Sequence, residues 1–283
     1  MTRHPPPATR HRPVLMGILN TTPDSFSDGG RFLKPDAAVR RGLQMEREGA
    51  AIIDIGAEST RPGSKAVSPK EQLRRLLPVL RGIRKRSKIT ISIDTQSALV
   101  ASACLEEGAD IINDVSALQQ DRRMLKLLAR CACPVIIMHM LGTPRTMQKD
   151  PRYKEVVRDI LAFFRERLRA CGEAGISSSR VIVDPGIGFG KTLEHNLEIL
   201  RRLDEFQALK RPIMIGVSRK SFLGRITGED NPSGRVTASV AAGLAAVSKG
   251  ASILRVHDVK EHADALGIWA ALNSAKQEPS TVL

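Results

Sequence analysis

The stretch Val14-Leu-Met-Gly-Ile-Leu-Asn-Thr-Thr-Pro-Asp-Ser-Phe-Ser-Asp-Gly-Gly30 is an apolar run that stops at an asparagine and opens into a loop carrying acids and a phenylalanine. The residues from Val14 to Leu19 are too apolar to alternate, which describes a strand covered on both faces, as in a parallel sheet wrapped by helices. Asn20 then stands at the carboxyl end of that strand, where barrels and open α/β sheets keep their active sites. The loop that follows is rich in turn formers, which predicts mobility, yet it holds Phe26, for which a purely solvated loop has no use. The same stretch also reads as an ordinary strand-to-helix turn, with Asn20 as a cap and Phe26 tucked against the core.

Outward from this strand the pattern repeats. Pro35 to Glu48 has helical apolar spacing and meets a stop at Gly49. Ala51-Ile-Ile-Asp-Ile55 is a second strand, running into the polar loop Gly56-Ala-Glu-Ser-Thr-Arg-Pro-Gly63. Ser68-Pro-Lys-Glu71 has the residues of a capped helix start, and the helix it opens reaches about Arg86. Further strands are expected at Ile89 to Ile93, from Ile111, at Pro134 to Met138, Val181 to Val183, Pro212 to Gly216 and Ile253 to His257. Helices are expected near Ala98 to Glu107, Arg122 to Arg130, Lys154 to Ala174, Gly234 to Lys249 and Lys260 to Leu272. Roughly eight strand-then-helix units predict an α/β protein with a single (β/α)8 TIM barrel over residues 13–275. An open doubly wound sheet is the alternative, but the glycine-rich dinucleotide loop after its first strand is missing.

Composition narrows the partners. A chain of 283 residues with 42% hydrophobic and 3% aromatic residues can bury a large aliphatic core, and its formal charge of +14 draws anions. Nucleic acid and small phosphorylated or carboxylated substrates both fit that charge. One Trp and one Tyr give little to stack on bases, and the basic residues fall mostly within presumed helices as solvated faces, so no nucleic acid is expected. Cys104, Cys131, Cys133 and Cys171 are scattered without His partners at zinc spacing, and they read as reduced, buried thiols of a cytoplasmic protein. Residues 1–12 form a basic, proline-rich tail without the apolar core of a secretory signal, expected to be disordered, and residues 276–283 a flexible carboxyl terminus. No stretch is apolar for long enough to span a membrane as a helix.

Asn20, Asp94, Asn113, Asp184, Lys220, Arg255 and His257 each fall at or just beyond the carboxyl end of a different or shared strand, and in a barrel those positions converge on one mouth. Acids and amides there suit the edge of a flat heterocycle such as a pterin or guanine, because a carboxylate accepts two parallel hydrogen bonds from an amide N-H and an exocyclic amine. Arg255 and His257, two apart on one strand, point the same way, and with Arg61 they read as a cationic pocket for phosphate. Asn20 could offer its carbonyl oxygen to magnesium, which prefers oxygen ligands and keeps most of its waters. Pro185-Gly-Ile-Gly-Phe-Gly-Lys-Thr192 invites comparison with a phosphate-cradling P-loop. Pro185 stands where that motif needs its first glycine, so the segment reads instead as a barrel loop whose glycines let backbone approach a ligand, with Phe189 as an apolar wall.

Met16-Gly-Ile-Leu-Asn-Thr-Thr-Pro-Asp-Ser-Phe-Ser-Asp-Gly-Gly30, Glu58-Ser-Thr-Arg-Pro-Gly63, Asp184-Pro-Gly-Ile-Gly-Phe-Gly-Lys191, Ser218-Arg-Lys-Ser221 and Arg255-Val-His-Asp258 together resemble the signatures of the dihydropteroate synthase family, in order and over nearly the whole chain. The resemblance implies condensation of 6-hydroxymethyl-7,8-dihydropterin diphosphate with p-aminobenzoate on the folate pathway, magnesium as cofactor, sulfonamides as inhibitors and a homodimer. It places Asp94, Asn113, Asp184 and Lys220 on the pterin. It places Asn20, Thr60, Arg61, Arg255 and His257 on the diphosphate and its magnesium, and Phe26, Pro62, Phe189, Lys220 and Ser221 around p-aminobenzoate. Asp28 is the candidate for stabilising a pterin cation in a dissociative substitution. Thr21, Ala57 and Asp94-Thr-Gln-Ser depart from commoner family forms, which touches loop packing and removes no proposed contact. A pterin-binding methyltransferase domain resembles the same barrel at its acids but should lack the Ser-Thr-Arg-Pro-Gly and Ser-Arg-Lys-Ser segments. A non-enzymatic basic binding protein is the remaining alternative.

Overall fold

The computed structural model describes residues 13–21, 35–58, 67–143 and 146–273. The expected disordered tail and flexible carboxyl terminus lie outside these residues. Eight parallel strands follow the chain as β1 (Val14–Asn20), β2 (Ile52–Gly56), β3 (Thr90–Asp94), β4 (Ile111–Asp114), β5 (Val135–Met138), β6 (Val181–Asp184), β7 (Met214–Ile215) and β8 (Ile253–Val256). Each strand pairs with its sequence neighbour, β1 also pairs with β8, and a bridge between Val183 and Ile213 joins β6 to β7. The sheet is thereby a barrel, as the strand-helix alternation predicts.

The helices outside it are α1 (Pro35–Arg47), α2 (Pro69–Arg84), α3 (Ala98–Glu106), α4 (Arg123–Arg130), α5 (Val156–Glu173), α6 (Leu193–Arg201), α7 (Ser221–Thr227), α8 (Val236–Ser248) and α9 (Val259–Asn273). The Ser68 hydroxyl accepts from the Glu71 backbone N-H at 3.3 Å, which is the start signal read from sequence. Gly49, Gly108 and Gly175 stop their helices with positive φ angles of 108°, 93° and 86°. The sequence reading assigns neither α6 nor α7. Thr192 opens α6 through a reciprocal cap with His195, in which an imidazole replaces the usual Glu or Gln. Of the cysteines read as buried, Cys104 and Cys171 are so, whereas Cys131 and Cys133 are only partly buried on the link between α4 and β5, too short to be covered by a helix.

Two separate apolar cores result. The larger lies between sheet and helices and holds Leu19, Ile53, Ile55, Leu80, Ile91, Ile93, Phe164 and Phe206. The smaller joins Met16, Ile52, Ile111, Ile136, Met214 and Ile253, with Val14 and Ile182 against them. Side chains from so many non-adjacent strands meet only inside a barrel, so this second cluster marks its interior. Two residues further along the same strands, and hence on the same face, stand Asp54, Asn113, Asp184 and Arg255. The barrel is filled by an apolar floor with a polar layer directly above it.

Met16 is fully buried at the centre of that floor, on a strand hydrogen-bonded on both sides. The floor therefore has little freedom to collapse around a void. Met16→Ala is expected to cost roughly 2–5 kcal/mol, read as a lowered urea midpoint with an unchanged denaturant slope.

Candidate active site

The polar layer is organised by a half-buried arginine. Arg255 donates through Nε to Asp54 Oδ2 at 2.6 Å and through Nη2 to Asp94 Oδ2 at 2.9 Å. Asn113 Nδ2 donates to the same Asp54 oxygen at 3.1 Å. Strands β8, β2, β3 and β4 are thus cross-linked inside the barrel by one hydrogen-bonded chain. Asp54 is completely buried, yet it is absent from the residues picked out by sequence. The available signal was a carboxylate inside the apolar run of β2, which a buried strand tolerates only with a partner.

This arrangement gives Arg255 a further part. The sequence sets it beside His257 in a cationic pocket, and in the structure two carboxylates also hold its guanidinium, because barrel closure brings β2 and β3 near β8. Its Nη1 makes no hydrogen bond among the described residues. His257 lies just beyond β8, where Ser218 Oγ contacts its Nδ1 at 3.0 Å and accepts from its backbone N-H at 3.1 Å. Asn20 and Asp94 flank Gly56, with Asn20 Oδ1 3.7 Å from where a Cβ on that glycine would sit.

On the other side of the mouth, Asp184 Oδ1 accepts from Gly186 N-H at 2.8 Å. Lys220 donates through Nζ to the carbonyl of Ile187, and its ammonium lies 4.6 Å from the centre of the Phe189 ring. Phe189 is half-buried, while Ser221 is exposed in the first turn of α7. The structure thus groups Asp94, Asn113 and Arg255 around Asp54, and Asp184, Lys220 and Phe189 as a second group. Phe26, Asp28, Thr60, Arg61 and Pro62 lie outside the described residues. The segment with the last three leaves from Glu58 and returns at Val67, whose N-H donates to the Glu58 carboxylate at 3.2 Å.

The glycine-rich loop after β6 departs from its sequence reading. Gly186 (φ 71°) and Gly190 (φ 63°) are needed for protein, not ligand, because a Cβ on Gly186 would lie 2.0 Å from the His139 carbonyl oxygen and one on Gly190 2.7 Å from that of Leu141. Lys191, the residue that invited the P-loop comparison, is 3% exposed. Its Nζ contacts the Phe189 carbonyl at 2.9 Å, His139 Nδ1 at 3.1 Å and the His139 carbonyl at 3.4 Å. Its capacity to donate is spent on the loops after β5 and β6, so it is a strut under Phe189. A second strut was also missed. Arg219, at φ 59°, pairs with Asp258, its N-H donates to Ser239 Oγ at 2.8 Å, and Arg235 Nη1 donates to its carbonyl at 3.1 Å. These contacts tie the loops after β7 and β8 together and aim the next residue, Lys220, into the mouth.

Burial governs the protonation of the layer. Desolvation raises Asp94 to about 7, against the pull of Arg255 and with help from Asp54 and Asp114. It also raises Asp184, which Lys220 draws back down. Lys220 is lowered to about 8 by burial, with Asp184 opposing. Asp54 Oδ1, Ser92 Oγ and Asn113 Oδ1 are buried without a hydrogen-bond partner among the described residues. These unmet polar atoms inside the barrel, beside the raised Asp94, mark a layer whose hydrogen-bonding capacity the described residues do not fill.

A (β/α)8 barrel with this polar layer at the carboxyl ends of its strands has the architecture of a barrel enzyme. A family model for pterin binding enzymes matches residues 16–257. A dihydropteroate synthase of Haemophilus influenzae is 47% identical over 93% of this chain and 95% of its own. Among solved structures, Yersinia pestis dihydropteroate synthase with a sulfonamide drug complex aligns with TM-score 0.89 at 43% identity, covering 93% of this chain and 95% of that one. Dihydropteroate synthase from Xanthomonas albilineans in complex with 7,8-dihydropteroate aligns with TM-score 0.85 at 41% identity, with the same coverage of each. The chain belongs to the dihydropteroate synthase family of pterin-binding enzymes.

The raised Asp94 has a stability consequence of definite sign. A carboxyl that keeps its proton longer folded than unfolded contributes stability at low pH and loses it as pH rises through the folded value. Between the ordinary 3.8 and about 7, the unliganded protein is expected to lose stability through this group. Asp94→Asn removes that part of the slope, as urea denaturation at several pH values would record.

Proposed function

We infer that this chain is a transferase that condenses 6-hydroxymethyl-7,8-dihydropterin diphosphate with p-aminobenzoate to give 7,8-dihydropteroate and pyrophosphate, the dihydropteroate synthase step of folate synthesis. The observation that carries the reading is the polar layer of Asp94, Asn113, Asp184 and Arg255 on an apolar barrel floor, in a chain of this family. The pterin ring lies on the floor with its amide N-H and exocyclic amine toward Asp184. Asn113 and Asp94 take its remaining polar edge, and Lys220 holds the ring from the side of β7. The diphosphate is received by Arg255 Nη1, by His257 and by Thr60 and Arg61. Bond breaking precedes bond making: the exocyclic C–O bond to diphosphate lengthens first, the pterin nitrogens share the cation, and Asp28 stabilises it. The arylamine then attacks carbon, and the ammonium so formed loses its proton to solvent, without a general base. Phe26, Pro62, Phe189, Lys220 and Ser221 surround p-aminobenzoate, a place that sulfonamides also occupy.

Magnesium suits Asn20. A single neutral amide oxygen at a strand end, with no hydrogen bond among the described residues, fits a hard cation that keeps several waters and takes its other ligands from a phosphorylated substrate. When bound, the ion offsets negative charge on the departing diphosphate.

The chain works as a homodimer in the cytoplasm. Ile226 on α7 and Ile268 and Leu272 on α9 are 55%, 66% and 80% exposed, and α8 is apolar on nearly every face. This exposed apolar surface supports the dimer, since a second copy would cover it. No described helix is long and apolar enough to cross a membrane.

Pyrophosphate release that requires the pterin diphosphate, p-aminobenzoate and magnesium together is the expected result of a coupled assay. Release without p-aminobenzoate would instead indicate hydrolysis. Asp184→Asn turns an acceptor into a donor facing a donor, and calorimetry is expected to find pterin binding weakened by roughly 2–5 kcal/mol.

A further inference from the structure

The Cys131-Ala-Cys133 pair takes no part in the barrel mouth, since it precedes β5 at the opposite end of the strand. Cys131 ends α4 with extended backbone, at φ −110° and ψ 161°. In an extended chain, residues two apart share a face, and the two sulfurs come to 3.2 Å. Arg180, in the turn before β6, holds the segment from both sides. Its Nε and Nη2 donate to the Cys133 carbonyl at 3.0 and 2.8 Å, and Nη2 also to the Leu128 carbonyl at 2.9 Å. Cys131 and Cys133 are only partly buried, whereas Cys104 and Cys171 are fully so.

We propose that Cys131 and Cys133 form a thiol–disulfide exchange site on the amino-terminal face of the barrel, with a low-molecular-weight disulfide of the glutathione class as its co-substrate. The Cys131 thiolate attacks one sulfur of the small disulfide, whose S–S bond breaks as a mixed disulfide forms and one small thiolate leaves. That thiolate takes the proton of Cys133. The Cys133 sulfur then attacks Cys131 Sγ, and the second small thiolate departs and is protonated from solvent. Two electrons pass to the small disulfide, which becomes two small thiols, and the protein gains one disulfide.

The order of attack follows from the surroundings. Burial, and then the hydrogen bond with Cys131, push the Cys133 thiol up to about 12, against the pull of Arg180. Cys133 therefore enters protonated and acts second. Chain geometry permits the bridge. Two residues of extended chain span about 6.6 Å, within the Cα separation that a disulfide accepts. A small thiol reduces the product by the same steps in reverse, which makes it an exchangeable modification.

The test is to incubate the full chain with oxidised glutathione under native conditions and read intact mass and peptide maps. The parent is expected to lose two hydrogens between Cys131 and Cys133, retain no glutathione and return to the starting mass with dithiothreitol. Cys133→Ser, which cannot complete the second step, is expected to hold one glutathione on Cys131. A stable glutathione adduct on the parent, a bridge to Cys104 or Cys171, or no change in the parent would each overturn the proposal. Should Cys133→Ser fail to fold by circular dichroism, the parent's own peptide map decides alone.

Discussion

Arg255 reaches Asp54 with one nitrogen and Asp94 with another, and no other basic group bonds either carboxylate among the described residues. The cost of placing these charges inside a barrel is met only while all are present, since removing one partner strands the others in a medium that solvates them poorly. The apolar floor beneath makes that penalty severe. It also makes the arrangement specific, because a guanidinium with two fixed carboxylates has few alternative poses. The position of Asp94 at the mouth thus depends on Arg255 directly, and that of Asn113 depends on it through Asp54.

The side of the mouth formed by β6 and β7 is held by different means. Asp184 and Lys220 face one another across a loop fixed from behind by Lys191, and the Lys220 turn is fixed by Arg219, Asp258 and Arg235. Charged groups serve as struts here, hydrogen-bonding loop carbonyls that helices and strands leave unpaired. The excess of basic residues then has a structural component beside the attraction of anions. Arg180, Arg219, Arg235 and Lys191 each bind backbone oxygens or an acid of the protein, so each holds a loop in place whatever it adds to the field felt by a ligand.

The sequence disclosed the barrel because each strand is a short apolar run ended by a polar residue, and periodicity alone then puts Asn20, Asp94, Asn113 and Asp184 at one end. Asp54 escaped notice because it sits within a strand and not at its end. The partners of Arg255 could not be read locally, being 201 and 161 residues away in the chain and brought near only by closure of the sheet. Lys191 was misleading for a related reason. Its glycine-rich surroundings imitate a phosphate loop, and only the position of His139 at the end of β5 reveals that the space around its ammonium is already filled. The left-handed backbone at Arg219 carries no glycine or asparagine to announce it.

Division of the barrel interior into two levels also bears on how one scaffold can bind a neutral ring and an anionic leaving group together. The floor offers dispersion contact to a flat ring and nothing to a phosphate. The acids above it are placed to accept N-H donors at a ring's edge, and their charge would repel a phosphate brought among them. On the proposed reading, an anion would be met at the rim instead, by Arg255 Nη1 and the end of β8. Asp94 sharpens this separation. Desolvation raises it to about 7, so near neutrality the empty pocket carries less negative charge than its acids would in water. The same desolvation that destabilises the carboxylate thus reduces the repulsion that an anion at the rim would meet.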